Sequence, residues 1–150
     1  MEISLEKKRI LVIDDDEGVL KSMMRLLEFE GYAVDTAKTG KEAVEKSKLN
    51  FYNLALIDIR LPDMEGTQLL SELKETTPKM RKIIVTGYPD VQNAIAAVKK
   101  GADDFITKPV KIDLLIHSIK EQLGKQEQEK KYSEEKVTEY IETRLRENQP

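Results

Sequence analysis

Acidic, hydroxyl and ammonium side chains recur in this chain at positions where short apolar runs stop. Three consecutive aspartates at 14–16 follow the run that ends at Ile13, and Asp58 follows a second such run. Thr86 and Lys108 come after two later runs. Crowded carboxylates repel one another and are stabilised by a cation between them. Oxygen ligands without thiolates favour a hard ion, and one or two carboxylates with water and phosphate suit Mg²⁺ better than Ca²⁺.

The same residue types suit phosphoryl transfer. A carboxylate can act as the nucleophile and form an aspartyl phosphate. The ammonium of Lys108 can neutralise a phosphoryl group, and the hydroxyl of Thr86 can donate a hydrogen bond to it. Because this chemistry needs mainly positioning and charge neutralisation, these residues are sufficient for it if the fold brings them together.

The elements that must position them alternate along the chain. The predicted strands are 9–13, 32–36, 54–57, 82–85 and 105–106. Between them, apolar residues recur at i, i+3, i+4 and i+7, which is typical of amphipathic helices. Five such β-α repeats predict an α/β fold, with a doubly wound parallel sheet and helices on both faces. Sites in such sheets form at the carboxyl ends of the strands, so we expect the polar residues to meet at one edge.

Composition excludes several classes of protein. The chain has 150 residues, 35% of them charged, and no apolar run long enough for a membrane span. The start of the chain does not resemble a signal peptide, so we expect a cytoplasmic protein without membrane contact. The absence of cysteine excludes disulfides and thiolate zinc sites, and the single histidine, His117, is predicted to be an exposed helical residue. The net charge of −3 shows no basic excess, which argues against direct nucleic-acid binding by this segment.

Apolar residues become sparse after Gly124, which we predict to be a helix C-cap, as we do Gly31 and Gly101. We therefore divide the chain into a domain over 1–123 and a charged helical tail or linker over 124–150. Four apolar tail residues, Val137, Tyr140, Ile141 and Leu145, have helical spacing. The tail is either a solvated extension or a dimerising or linker helix, because its stripe is too short and irregular to predict a coiled coil.

Several other acidic residues have simpler interpretations. Asp16 is predicted to be the N-cap of the first helix, since aspartate is a favoured cap. Asp63, after Pro62, is predicted to mark a turn. Asp103 and Asp104 are predicted to be solvated.

Four segments, taken in order, carry a specific resemblance although each alone is weak. They are DD at 14–15, DIRLPDMEG at 58–66, TG at 86–87 and DFITKP at 104–109. This order resembles the receiver domains of two-component response regulators, over roughly residues 7–123. The resemblance implies a flavodoxin-like sheet with strand order 2-1-3-4-5, five helices and, here, a C-terminal helical extension.

The resemblance also implies the roles of the site residues. Asp58 would accept a phosphoryl group from a phosphohistidine on a sensor histidine kinase. Asp15 and Asp58 would bind Mg²⁺ together with the main-chain carbonyl of Arg60, and Asp14 would help to hold the metal or its water. Lys108 would pair with the phosphoryl group.

The implied response is a change of conformation rather than turnover. Thr86 would move to hydrogen-bond the phosphoryl group, and Phe105 would turn inward into the vacated space. The changed surface, around the fourth helix, fifth strand and fifth helix, would act on a downstream output domain or protein, or on a second copy in a homodimer. Position 105 is phenylalanine rather than tyrosine, so it offers no hydroxyl to a partner, and Pro109 is expected to follow a cis bond.

Two other functions remain as alternatives. Residues 14–18 partly resemble the signature of aspartate-based phosphatases of the haloacid dehalogenase type, with Asp14 as nucleophile and Asp16 as acid. Gly18 replaces the threonine or valine of that signature, and the chain has no room for a cap domain. A pseudo-receiver that only binds partners is the other alternative, and the complete set of site residues argues against it.

Overall fold

A computed structural model describes residues 6–87 and 90–149, in which strands and helices alternate. The strands are β1 (Arg9–Ile13), β2 (Ala33–Ala37), β3 (Leu54–Asp58), β4 (Arg81–Thr86) and β5 (Asp104–Thr107). The helices are α1 (Glu17–Phe29), α2 (Gly40–Leu49), α3 (Gly66–Glu72), α4 (Val91–Lys99) and α5 (Ile112–Glu147). Every strand lies where the apolar runs predicted it, with ends shifted by no more than one residue.

The five strands form one parallel sheet in the order β2-β1-β3-β4-β5, which confirms the predicted topology. In the register of the sheet, Asp58 lies beside Val85 and Thr86 lies beside Thr107. The carboxyl ends of the central strands therefore stop at nearly the same level. Polar residues that follow these strands must share one edge of the sheet.

The core consists of two layers, one on each face of the sheet. Leu11, Ile57 and Ile84 face the layer that contains α2, α3 and α4. Val12 and Leu56 face the layer that contains α1 and α5. Successive side chains of a strand point to opposite faces, so central strands covered on both sides must be apolar almost throughout.

Most of the predicted helix ends are confirmed. The carboxylate of Asp16 caps α1 and accepts a hydrogen bond of 3.1 Å from the Val19 N–H. Gly31 and Gly101 follow α1 and α4 with φ of 97° and 107°, a conformation that glycine adopts without steric cost. His117 is exposed on α5, as expected.

The prediction of a helix end at Gly124 is wrong, because α5 continues through it to Glu147. The physical reason lies two residues further on, at the buried Gln126. Its side-chain amide donates hydrogen bonds to the carbonyl oxygens of Asn53 (2.9 Å) and Lys79 (2.7 Å), beside the amino ends of the strands. These contacts keep the chain helical where the apolar stripe ends.

The prediction that Asp103 and Asp104 are solvated is also wrong. The carboxylate of Asp103 accepts hydrogen bonds from the Lys82 N–H (2.9 Å) and from the guanidinium of Arg81 (3.3 Å). The carboxylate of Asp104 accepts hydrogen bonds from the Ser118 hydroxyl and from the Phe105 N–H. Both acids therefore have hydrogen-bond donors around the start of β5. The donors from Arg81, Lys82 and Ser118 are distant in sequence, and the donor from Phe105 is a main-chain N–H.

Among the described residues, no helix is both long and apolar enough to cross a membrane.

Candidate functional site

Three of the predicted acids form one cluster at the carboxyl edge of the sheet. Asp14 and Asp15 directly follow β1, and Asp58 is the last residue of the adjacent β3. Each contributes a carboxylate oxygen, and these oxygens lie within 4.8 Å of one another. Asp14 is buried, Asp58 is half-buried and Asp15 is exposed, so the cluster opens to solvent on the side of Asp15.

The electrostatics of the cluster follow from this crowding. Burial and the neighbouring charge of Asp14 raise the pKa of the Asp58 carboxyl, while Lys108 and the Arg60 N–H oppose the shift. A group whose charged form is disfavoured in this way gains from a nearby cation. The donors are oxygens only, which matches the preference of a hard divalent ion.

Lys108 reaches this cluster from the loop between β5 and α5. Its Nζ lies 3.2 Å from Oδ2 of Asp14 and 3.6 Å from Oδ2 of Asp58. Burial alone would lower the pKa of Lys108, but the two carboxylates outweigh it and raise that pKa. The Lys108 N–H donates a hydrogen bond of 2.6 Å to the Thr86 carbonyl, and the bond from Lys108 to Pro109 is cis, as expected.

The loop between β3 and α3 holds the main chain of Arg60 beside Asp58. The Arg60 N–H donates to Oδ1 of Asp58 over 3.4 Å. Gly66, the first residue of α3, returns to donate a hydrogen bond of 2.6 Å to the carbonyl of Ile59. A Cβ at Gly66 would lie 2.8 Å from the Ile59 Cα and closer still to the Asp58 carbonyl oxygen. Only glycine allows this close approach of the two backbones.

Thr86 and Phe105 lie near the cluster on one face of the sheet. Thr86 is completely buried and follows Val85, the residue that pairs with Asp58. Phe105 pairs with Ile84 and packs, half-buried, against the layer of α2, α3 and α4. Since residues two apart in a strand share a face, Thr86 points to the same side as Ile84 and Phe105.

The structure therefore brings together Asp14, Asp15, Asp58 and Lys108, with Arg60 adjacent. A cleft lined by Asp15, Asp58, Arg60, Gly87 and Lys108 gives access to this group from solvent. The cluster could hold a divalent cation and leave a carboxylate oxygen of Asp58 facing an incoming group.

One residue near this site makes contacts that were not predicted from the sequence. Asp63 lies in the loop between β3 and α3, where the sequence predicts a turn. Its two carboxylate oxygens accept hydrogen bonds of 2.9 Å each from the N–H groups of Gly40 and Lys41, the first residues of α2. The available signal was its position, because the loop that contains it and the start of α2 both belong to the carboxyl edge of the sheet.

Comparison with known proteins identifies the family. The family model for the response regulator receiver domain matches residues 10–120. The transcriptional regulatory protein GlrR of Escherichia coli K12 is 35% identical over 142 residues, which are 95% of this chain and 31% of GlrR. The chain thus spans about a third of the length of this curated relative.

Two solved structures are similar over most of the chain. A CheY-like receiver domain protein from Methanospirillum hungatei is 48% identical with a TM-score of 0.79, covering 83% of this chain and 99% of that one. A response regulator from Burkholderia pseudomallei, whose structure contains a phosphorylated aspartic acid and a calcium ion, is 30% identical with a TM-score of 0.72. That match covers 82% of this chain and 72% of the other. With its sheet order, its acidic edge and these matches, this chain belongs to the response regulator receiver domains of two-component signalling systems.

Proposed function

We propose that this chain is a phosphorylation-activated switch in which Asp58 accepts a phosphoryl group from a sensor histidine kinase. The single observation that carries the proposal is the placement of Asp58, which lies 3.6 Å from an ammonium and within 4.8 Å of two other carboxylates. The relative with a phosphorylated aspartic acid supports the same chemistry.

The proposed reaction is a single transfer. An oxygen of the ionised Asp58 carboxylate attacks the phosphorus of a phosphohistidine, and a new O–P bond forms. The P–N bond breaks, and its electron pair returns to the imidazole nitrogen. The ammonium of Lys108 balances the negative charge of the transferred group through a charge-assisted contact. Attack by water would break the O–P bond, release inorganic phosphate and restore the Asp58 carboxylate. The protein would thus act as a signalling switch rather than as a turnover enzyme.

We propose Mg²⁺ as the cofactor. Asp15, Asp58 and the main-chain carbonyl of Arg60 would hold the ion, and Asp14 would hold the ion or its water. The oxygen-only donors and the raised pKa of the Asp58 carboxyl, caused by burial and by Asp14, support a cation at this point. When bound, the ion supplies positive charge to the oxygens of the phosphoryl group.

The switch itself would use Thr86 and Phe105. Thr86 would hydrogen-bond the phosphoryl group, and Phe105, on the same face of the sheet, would turn inward in response. Shifting a population from 1:99 to 99:1 needs about 5.5 kcal/mol of differential interaction. An ammonium, a hydroxyl and a metal ion that contact the phosphoryl group in only one conformation are of the right kind to supply it. The exposed apolar residues Val91, Ile95 and Val98 of α4 support an output surface around α4, β5 and α5.

Radiolabel transfer from a small acyl phosphate tests the acceptor. We expect the wild-type chain to be labelled only when Mg²⁺ is present, and Asp58→Asn to remain unlabelled. Asp113→Asn removes an exposed acid from the first turn of α5 and serves as the matched control that keeps its label. Full labelling of Asp58→Asn would show that another residue is the acceptor.

The phosphatase alternative is less well supported by the geometry. A phosphatase of that type would use Asp16 as its acid, whereas the Asp16 carboxylate accepts the Val19 N–H and caps α1. Hydrolysis of a phosphomonoester by the wild type but not by Asp14→Asn would favour the phosphatase. For a pseudo-receiver we expect no label on Asp58 under any condition.

We further propose that residues 1–123 are the receiver domain and that 124–150 connect it, in the cytoplasm, to a downstream output. The name of the longer relative, a transcriptional regulatory protein, supports an output that acts on transcription. Tail residues Val137, Tyr140, Ile141 and Leu145 are all at least half exposed on α5. An apolar stripe left open in this way supports a homodimer in which two tails pair.

Size measurement with and without beryllofluoride, a phosphate mimic, tests the tail. We expect Ile141→Glu to abolish any dimer, because it places a charge in the middle of the stripe. Gln128→Glu, an exposed tail residue on the side of the helix away from this stripe, is the matched control. A dimer that survives Ile141→Glu would exclude the tail as the contact.

A further inference from the structure

We infer that Asp63 is a positioning residue for the cation-binding cluster, because its carboxylate fastens the loop that carries Arg60 to the start of α2. The inference rests on the proposed function, in which the Arg60 carbonyl is a ligand of Mg²⁺. It extends the proposed metal site by one residue that would not contact the ion itself. It also gives a role to α2, a helix that lies outside the site.

The loop between β3 and α3 is closed by its own main chain. Arg60 and Glu65 form an antiparallel bridge, and the Leu61 N–H donates a hydrogen bond of 3.2 Å to the Met64 carbonyl. Asp63 therefore lies at the tip of a small hairpin whose base is Arg60 and Glu65. A displacement of Asp63 at the tip would therefore also displace Arg60 at the base, because two backbone contacts join the two sides of the hairpin.

The other end of the connection is an α-helix N-terminus. The first N–H groups of a helix have no partner within the helix and attract a carboxylate. Asp63 accepts the first two, from Gly40 and Lys41, over 2.9 Å each. The Thr39 hydroxyl oxygen accepts the next, from Glu42, over 3.0 Å. Hydrogen bonds from the N–H groups of Lys41 and Gly40 hold the pKa of the Asp63 carboxyl below its usual value, because they stabilise its charged form.

A packing contact supports the same connection. Met64, next to Asp63, lies so close to Gly40 that a Cβ at this glycine would come within 2.6 Å of the Met64 Cγ. The loop tip is thus held to α2 by two charge-assisted hydrogen bonds and by one side chain. Releasing the tip would remove one restraint on the position of Arg60 relative to Asp58, and the ion would be bound by a less precisely oriented ligand.

Titration of the unphosphorylated chain with MgCl₂, followed by calorimetry and by NMR of labelled amides, tests the inference. We expect Asp63→Ala to raise the Kd for Mg²⁺ about tenfold, the lower end of the loss seen when a residue that orients a metal ligand is removed. In the wild type, we expect the Gly40 and Lys41 amide signals to shift on Mg²⁺ binding, since the loop couples them to the ion. In Asp63→Ala, we expect that shift to disappear.

Two variants separate positioning from simpler effects. Glu65→Gln removes the same charge from the same loop, and the Glu65 side chain makes no cap hydrogen bond to α3 in the described part of the chain. Thr39→Ala weakens the same end of α2 without touching the loop. We expect both to bind Mg²⁺ within about twofold of the wild type, since neither breaks the connection to Asp63.

Each other outcome has a defined meaning. An unchanged Kd in Asp63→Ala would overturn the inference, and so would an equal loss in Glu65→Gln, which would mean an effect of charge alone. An equal loss in Thr39→Ala would also overturn it, since helix stability would then be the cause. If the wild-type chain binds no Mg²⁺ at all, the proposed metal site fails and the inference fails with it.

Discussion

Nζ of Lys108 lies closer to Asp14 than to Asp58, at 3.2 Å against 3.6 Å from the respective Oδ2 atoms. In this state the ammonium neutralises the buried carboxylate of Asp14 as well as the proposed acceptor. Lys108 and the proposed metal ion would therefore compete for the same carboxylates, although after phosphorylation both would attract the phosphoryl group.

This competition predicts that Lys108→Met binds Mg²⁺ more tightly than the wild type. Removing a positive charge beside a cation site removes repulsion, and we expect the Kd to fall severalfold, to roughly a third to a tenth. Calorimetric titration at low salt measures the change. Lys111→Met, which removes an exposed charge just before α5, is the control, and weaker binding by Lys108→Met would contradict the proposed competition.

The crowding at Asp58 predicts a gain in stability when its charge is removed. Burial and Asp14 raise the pKa of the Asp58 carboxyl in the folded state, so the folded state binds a proton more readily than the unfolded state does. The contribution of the Asp58 carboxyl to stability is thus most favourable at a pH below its pKa in the unfolded state. It declines as the pH rises through its pKa in the folded state. Without divalent ions, we expect the free energy of unfolding of Asp58→Asn to exceed that of the wild type by about 1 kcal/mol at pH 7.

Urea denaturation at pH 7 and near pH 4, with a chelator present, checks this expectation. The advantage of Asp58→Asn should shrink at the lower pH, because the wild-type carboxyl then becomes protonated. Asp113→Asn, which removes an exposed carboxylate that is not part of the cluster, should show no such dependence. An advantage that grows as the pH falls would mean that the sign of the shift is wrong.

Two glycines that sit in helices should respond to alanine in opposite ways. Gly66→Ala would press its Cβ against the backbone of Asp58 and Ile59, and we expect a loss of about 2–3 kcal/mol in the free energy of unfolding. At Gly124, inside α5, an added Cβ would meet nothing within 4 Å among the described residues. There alanine should stabilise by about 0.5–1 kcal/mol, because it restricts the unfolded chain and favours the helix. Thermal and urea unfolding of both variants measures the difference, and a stable Gly66→Ala would contradict the close approach.

The hydrogen bonds of Gln126 predict a stabilising role for the first turns beyond Gly124. Gln126→Ala removes a buried amide that serves the carbonyls of Asn53 and Lys79. We expect a loss of about 1–3 kcal/mol, the usual penalty for buried polar groups left without partners. Gln128→Ala, an exposed glutamine one half-turn away, is the matched control and should be nearly neutral. Equal stability of the two variants in urea would show that the Gln126 contacts contribute little.

The sequence by itself determined the parallel α/β sheet and the residues that meet at its carboxyl edge, and the resemblance to receiver domains supplied the strand order. Short Ile- and Val-rich runs predict buried strands, and the right-handed connections of a doubly wound sheet leave few arrangements for them. A residue that directly follows a central strand must lie at the same edge as those that follow its neighbours. The proximity of Asp14, Asp15, Asp58 and Lys108 could therefore be predicted, since it depends only on strand position.

Contacts between distant loops and helices were decided by the tertiary structure alone. Asp63 meets α2 across 22 and 23 residues, and Gln126 meets Asn53 across 73. Neither contact follows from the strand period of 2 residues or the helix period of 3.6 residues. Side-chain hydrogen bonds between residues distant in sequence depend on how the packed layers bring loops and helices together. For the same reason, the sequence pattern predicted a helix before Gly124 and another after it. It could not show that α5 is continuous at Gly124, because this depends on the buried hydrogen bonds of Gln126.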